Sequence, residues 1–146
     1  MKNKNFGAKK VLADGYKFDS QKEYQDYLLF KHQLNRGQIS KIEVHRPFIL
    51  IPGIYYNFET RTYRIKNGSD NYKKSPLKWV CIQKSKTYTA DFVIHYPDGS
   101  VKVFDSKPVH KNPNTRKKFE KSMIFKRFLQ KKRLMMYIYG IEVKVI

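Results

Sequence analysis

Two alternating stretches, "YTADFVIHY" (88–96) and "SVKVFDSKPV" (100–109), are joined by "PDG", and this pair constrains the fold more than any other feature of the chain. Side chains along a strand change face at every residue. Pro, Asp and Gly are the residues of tight turns. The segment reads as a β-hairpin, and a hairpin has a register. With a loop at Pro97, Asp98 and Gly99, Tyr96 faces Ser100, and facing residues have numbers that add to 196. Asp91 then faces Asp105, with Cβ atoms about 4.5–5.5 Å apart. Lys107 follows on the same face, one strand repeat further on.

A strand that starts to bury Val101 and Val103 and then presents a carboxylate and an ammonium on that face needs a reason. Two carboxylates so close repel each other, and burial would force one to keep its proton. A divalent cation removes the conflict. Carboxylate pairs with room for water and phosphate oxygens suit Mg²⁺ or Mn²⁺. Lys107 beside them can orient a water and offset charge developing on a phosphate. Taken singly, each residue also has a structural reading: Asp91 as a strand-edge hydrogen-bonding residue, Asp105 with Lys107 as an ion pair.

The remaining chain supplies the frame. A helix is expected over Ser20 to Arg36, stopped by Gly37. Its apolar stripe is Tyr24, Tyr27, Leu28, Phe30 and Leu34, and Glu23 falls within it. A carboxylate on a buried face needs a partner. Glu23 also stands three residues after Ser20, the spacing of a capping box. "SKIEVHRPFILI" (40–51) reads as a strand bulged near Pro47. Residues 53–86 read as an elaborated β-hairpin insertion, with turn residues at 67–76. "HKNPNTRKK" is a basic loop leading into a second helix, Thr115 to Lys132. "YIYGIEVKVI" ends the chain as a strand through Ile141, Val143 and Val145. Residues 1–15 form a basic flexible arm, and 16–146 one domain. The expected class is α/β: a single domain with a mixed central β-sheet flanked by α-helices.

Lys and Arg number 31 against 12 Asp and Glu, a formal charge of +19. Such an excess works against a compact state unless a polyanion is near, and nucleic acid is the first candidate partner. A ribosomal-type role and an anionic membrane surface are the rivals. Candidate phosphate contacts are Lys126, Arg127, Lys131 and Lys132 on the second helix. His110, Lys111, Arg116, Lys117 and Lys118 precede them. Phe119, Met123, Phe128 and Leu129 read as core. Of the four histidines, none has metal-ligand spacing with another, and His45 lies nearest the expected site. Cys81 stands alone, which excludes an internal disulfide and a Cys-rich zinc site. No apolar run is long enough to span a bilayer, and the basic start lacks the apolar core of a signal peptide. No membrane partner is expected.

"FDSQKE" (18–23), "YTADF" (88–92) and "DSK" (105–107) occur in the order helix acid, strand aspartate, Asp-x-Lys. This order resembles the PD-(D/E)XK nuclease superfamily. Over about residues 14–50 and 86–146 the chain is similar to a family of small phage-encoded, Holliday-junction-resolvase-like proteins once known only as a domain of unknown function. The resemblance implies a restriction-endonuclease-like fold and a Mg²⁺-dependent endodeoxyribonuclease, with Mn²⁺ as a substitute. Glu23 matches the helix acid, Asp91 and Asp105 the metal-binding aspartates, and Lys107 the catalytic lysine. The Ser106 carbonyl would be a further metal ligand. The resemblance also implies branched DNA as substrate, a homodimer, replication or recombination proteins as partners, and the host-cell cytoplasm as location. Ser106 and Pro108 depart from the family's small apolar residue and glycine. A non-catalytic DNA-binding protein, or a nuclease-fold subunit active only with a partner, is the alternative expectation.

Overall fold

Asp14 and Gly15 both adopt left-handed backbone, with φ of 51° and 79°, as a two-residue hairpin turn requires. They join β1 (Val11–Ala13) to β2 (Tyr16–Phe18). The computed structural model describes residues 9–66, 79–107 and 112–146. Val11 and Ala13, expected in a flexible arm, are instead held in this hairpin, because they pack beside the fully buried Phe18. Helix α1 (Gln21–Asn35) follows, capped by the Ser20 hydroxyl, which accepts the Glu23 N–H at 3.1 Å. It stops as expected at Gly37, whose φ is 71°.

The central sheet contains β3 (Lys41–Ile51), β7 (Lys86–His95), β8 (Val101–Asp105) and β9 (Val143–Val145), in that spatial order. Its first two pairings are antiparallel, and β8–β9 is parallel. The hairpin register is the expected one: Phe92 faces Phe104, Val93 faces Val103 and His95 faces Val101. α1 covers one face, where Tyr27 and Phe30 meet Phe18, Phe92 and Ile94. The other face carries Phe128 and Met135 of helix α3 (Met123–Tyr139), packed on Phe48, Val93, Val103 and Val143. Between β3 and β7 the chain forms a second, three-stranded antiparallel sheet. Its strands are β4 (Gly53–Asn57), β5 (Thr62–Lys66) and β6 (Trp79–Gln83), with β4 in the centre. The molecule is a single α/β domain with mixed sheets and, among the described residues, three helices.

Three local expectations are corrected. The β3 irregularity lies between Ile49 and Ile51, while Pro47 pairs in register with Thr89. β3 is an edge strand, where a residue without an N–H is tolerated. The expected Thr115–Lys132 helix is two helices, α2 (Pro113–Glu120) and α3, because the Ser122 hydroxyl caps a new start by accepting the Phe125 N–H at 3.2 Å. α3 then runs to Tyr139 and ends at Gly140, φ 66°, so the last strand begins at Val143 rather than Ile141. The outer arm (1–8), the 67–76 turn, Pro108, His110 and Lys111 lie outside the described residues. No described helix is long and apolar enough to cross a membrane.

One irregularity shapes the site. Ile42, Val44, Phe92 and Ile94 pack on the α1 side of the sheet, but Phe48, Leu50, Tyr88 and Ala90 pack on the α3 side. All are even-numbered, so a regular strand would keep each strand's set on one face. The β3–β7 pair therefore turns over between Val44 and Phe48 and between Ala90 and Phe92. His45 lies in this turnover with φ of 55°. It is flanked by the pairs Val44–Phe92 and Arg46–Ala90, which places it opposite Asp91.

Candidate active site

The last described β7–β8 pair is Phe92 with Phe104. One residue further, where β7 turns over, the carboxylate of Asp91 takes the place of a backbone acceptor. Its Oδ2 accepts the Ser106 N–H at 2.7 Å. On the opposite side, Ile146 donates to the Asp105 carbonyl at 3.1 Å and accepts from the Lys107 N–H at 3.0 Å. Ser106 is thus extended and continues the parallel ladder. An extended residue turns its N–H and C=O the same way, so the Ser106 carbonyl faces the Asp91 side.

Asp105 is 3% exposed. Its Oδ2 accepts the Tyr88 hydroxyl at 2.8 Å, and its Oδ1 is paired with the Lys107 ammonium. Lys107 Nζ lies 4.6 Å from the centre of the Phe128 ring, so the lysine is held between a carboxylate and an aromatic face. A cleft of about 430 Å³ is lined by Tyr88, Asp91, Asp105 and Lys107 on the sheet side and by Arg127 and Lys131 on α3. It adjoins a second cavity of about 530 Å³ that shares Arg127 and Lys131 and adds Lys86.

Burial, followed by the charge of Asp105, raises the pKa of Asp91 to about 7. Glu23 adds to the rise, while the Ser106 N–H and Lys107 oppose it. Burial and the Asp105 charge push Tyr88 far upward, so its hydroxyl keeps its proton and remains a donor.

Glu23 is 4% exposed. One oxygen accepts the Asp19 N–H at 2.8 Å, one residue before the Ser20 N–H that a capping box uses. The other lies 2.6 Å from His45 Nε2. Glu23 does not line the cleft; it reaches Asp91 through its charge. Of the proposed phosphate contacts, Arg127 and Lys131 face the carboxylates. Lys126 is exposed outside the cleft, and Lys132 lies 3.9 Å from Glu142. On α2, Arg116 is paired with Glu120 at 2.9 Å, and Lys117 and Lys118 face solvent.

Two contributors have no readable sequence signal, Tyr88 and Lys22; His45, expected nearest the site, meets Glu23 there. Asp26 accepts from the Ser106 hydroxyl at 2.6 Å and from Lys22 at 2.8 Å, which ties α1 to the residue between Asp105 and Lys107. Asp26 could have been suspected from its spacing, since it stands three residues beyond Glu23 on the same helix.

Among the described residues, no group of three His, Cys, Asp or Glu side chains is placed to hold one metal ion. The donor set is narrower: two carboxylates that burial sets against each other, and a carbonyl facing them. Mg²⁺ is commonly bound through one or two carboxylates, with water and substrate phosphates completing its shell. The residues present fit that mode, with Asp91, Asp105 and the Ser106 carbonyl as the holders.

The family model described as "Protein of unknown function (DUF1064)" matches residues 3–139, and the chain belongs to that family. No curated protein and no solved structure matches it.

Proposed function

We propose that this member of the DUF1064 family is a Mg²⁺-dependent endodeoxyribonuclease of the PD-(D/E)XK type. The observation that carries the reading is the joint placement of Asp91, Asp105 and Lys107 in a cleft whose other wall bears Arg127 and Lys131. A buried and a half-buried carboxylate facing one space are unfavourable without a cation, and two cations across from them call for a polyanion.

A divalent ion at Asp91 and Asp105 would polarise a phosphodiester and lower the pKa of an attacking water. The chain's own residues do the rest. Tyr88 fixes Asp105 in one orientation through the 2.8 Å hydrogen bond. Asp105 and the Phe128 ring hold the Lys107 ammonium at the cleft, where it positions the water and offsets charge on the phosphate. Asp91 holds the Ser106 backbone, which sets the direction of the neighbouring carbonyl. Arg127 and Lys131 bind flanking phosphates, which fixes position without reading sequence. Branched DNA from phage replication or recombination, cut in the host cytoplasm, is the substrate this reading favours.

The test is cleavage of linear duplex, single-stranded and four-way-junction DNA in Mg²⁺, Mn²⁺ or chelator, beside Lys107→Ala. Metal-dependent products lost in the variant support the nuclease. Equal nicking by both proteins would end the proposal. A second reading, a DNA-binding protein that does not cut, is favoured by the lack of a three-ligand group among the described residues. It requires salt-sensitive binding and no product under any metal condition.

A further inference from the structure

We propose that the cavity beside the catalytic cleft is a subsite for one unpaired nucleotide of the DNA strand being cut. It lies between α3 and the start of β7, with a volume of about 530 Å³ against about 430 Å³ for the cleft. Thr87, Arg127 and Lys131 line both spaces, so the two share a wall. Sites for small molecules have volumes of about 300–1,000 Å³ and combine an apolar lining with a few placed polar groups.

The lining follows from the helix. Arg127, Gln130, Lys131 and Leu134 stand at i, i+3, i+4 and i+7, one face of α3. Leu134 packs on the core that contains Leu50, itself 5% exposed, and these two leucines give the cavity its apolar floor. Three exposed cations complete it: Lys86 of β7 with Arg127 and Lys131. Among the described residues none of the three is paired with a carboxylate, whereas Arg116 is held by Glu120 at 2.9 Å. The Gln130 amide and the Thr87 hydroxyl each supply a donor and an acceptor.

This chemistry selects the occupant. Three unpaired cations call for phosphate, and an apolar floor calls for a flat or hydrocarbon group. A nucleotide carries both. A track for backbone phosphates alone needs no floor. A base inside a duplex is covered on both faces by its neighbours and on its edge by its partner, so it reaches the floor only by leaving the stack. That step costs roughly a few kcal/mol in a paired duplex, and least where the base is already unpaired. The cavity therefore favours DNA with an unpaired nucleotide next to the scissile phosphate. Gln130 and Thr87 can meet any base edge, so the subsite separates unpaired from paired rather than one base from another.

The inference rests on the nuclease reading for its ligand, and deepens it by naming the feature of the DNA that is bound. Binding is measured by fluorescence anisotropy in chelator, so that it is read apart from cleavage. The probes are a duplex and the same duplex with one bulged thymidine. The bulged probe is expected to bind about tenfold more tightly, and Lys86→Ala to lose most of that excess. In a Cys81→Ser background, Gln130→Cys is expected to trap a bulged thymine that carries a short disulfide tether, by thiol exchange, and Lys126→Cys, outside the cavity, is not. Equal affinity for the two probes overturns the subsite. So does an excess that Lys86→Ala leaves whole, or equal trapping at the two positions. A preference for the bulge in a chain that never cuts would end the nuclease reading and keep the subsite.

Discussion

The central sheet and the β4–β5–β6 sheet are built from similar residues and put them to opposite uses. Both are rich in aromatic and β-branched residues, and both alternate. The central sheet is covered on both faces, by α1 and α3, and its end is a place where charge is confined: Asp105 is buried between Tyr88 and Lys107. The smaller sheet leaves its apolar face open and sends Arg64 and Lys66 to the other side. Burial sets the first sheet's charges against each other. Exposure leaves the second sheet's apolar groups facing water.

The sharpest way to break this contrast is at the lysine. Lys107→Ala or Asp105→Asn is expected to lower cleavage by about 10³-fold or more, roughly 4 kcal/mol or more of barrier, with DNA binding retained in a gel-shift assay. The next test is packing. Phe92→Ala, at a residue with no exposed surface, should destabilise by about 3–5 kcal/mol in urea unfolding. Phe58→Ala, at 69% exposure, should cost less than about 1 kcal/mol under conditions where the chain is monomeric. Equal losses would contradict the difference between the two sheets.

Asp91 sharpens the comparison through pH. Its folded pKa, about 7, stands above the ordinary carboxylate value. Ionising it therefore disfavours the folded state. That penalty is absent below the unfolded pKa, grows as pH rises through the interval, and is complete above about 7. Asp91→Asn removes it, so in chelator the variant should gain on the order of 3 kcal/mol at pH 8 and nearly nothing at pH 4. Thermal melts at the two pH values check the sign. A smaller effect than at Lys107 is expected on the opposite wall. Arg127→Ala with Lys131→Ala should weaken DNA binding about tenfold and reduce the slope of log affinity against log salt by about 2.

Much of the central sheet was legible in the sequence, because periodicity and turn chemistry are local. The register of β7 with β8 followed from one turn, and with it the approach of Asp91 to Asp105. The end of α1 followed from Gly37. The same signal stood at Gly140, but "MMYIY" ahead of it is rich in residues that suit a strand, so α3 was expected to stop too soon. Ser122 looked like one more polar residue on a helix, since its capping role depends on where the backbone breaks. Tyr88 was not legible as a site residue for a deeper reason. Tyr88 belongs by parity with Phe92, and only the turnover of β7 moves it to the side of Asp105. A face change of that kind has no periodic signature; its trace is the positive φ of His45, a conformation that costs on the order of 1 kcal/mol or more and persists only where the surroundings hold it.

The parallel pairing of β8 with β9 has a consequence for timing. Ile146 grips the backbone on either side of Ser106, and Asp26 of α1 reaches the same serine from 80 residues away. Contacts of such long sequence separation form late and slowly. During synthesis, Asp105 and Lys107 leave the ribosome some forty residues before the strand that clamps them. Until that strand adds itself to the sheet, the hairpin carries the right residues without the arrangement that makes them act. On the proposed reading, the nuclease is thereby inert while it is being made.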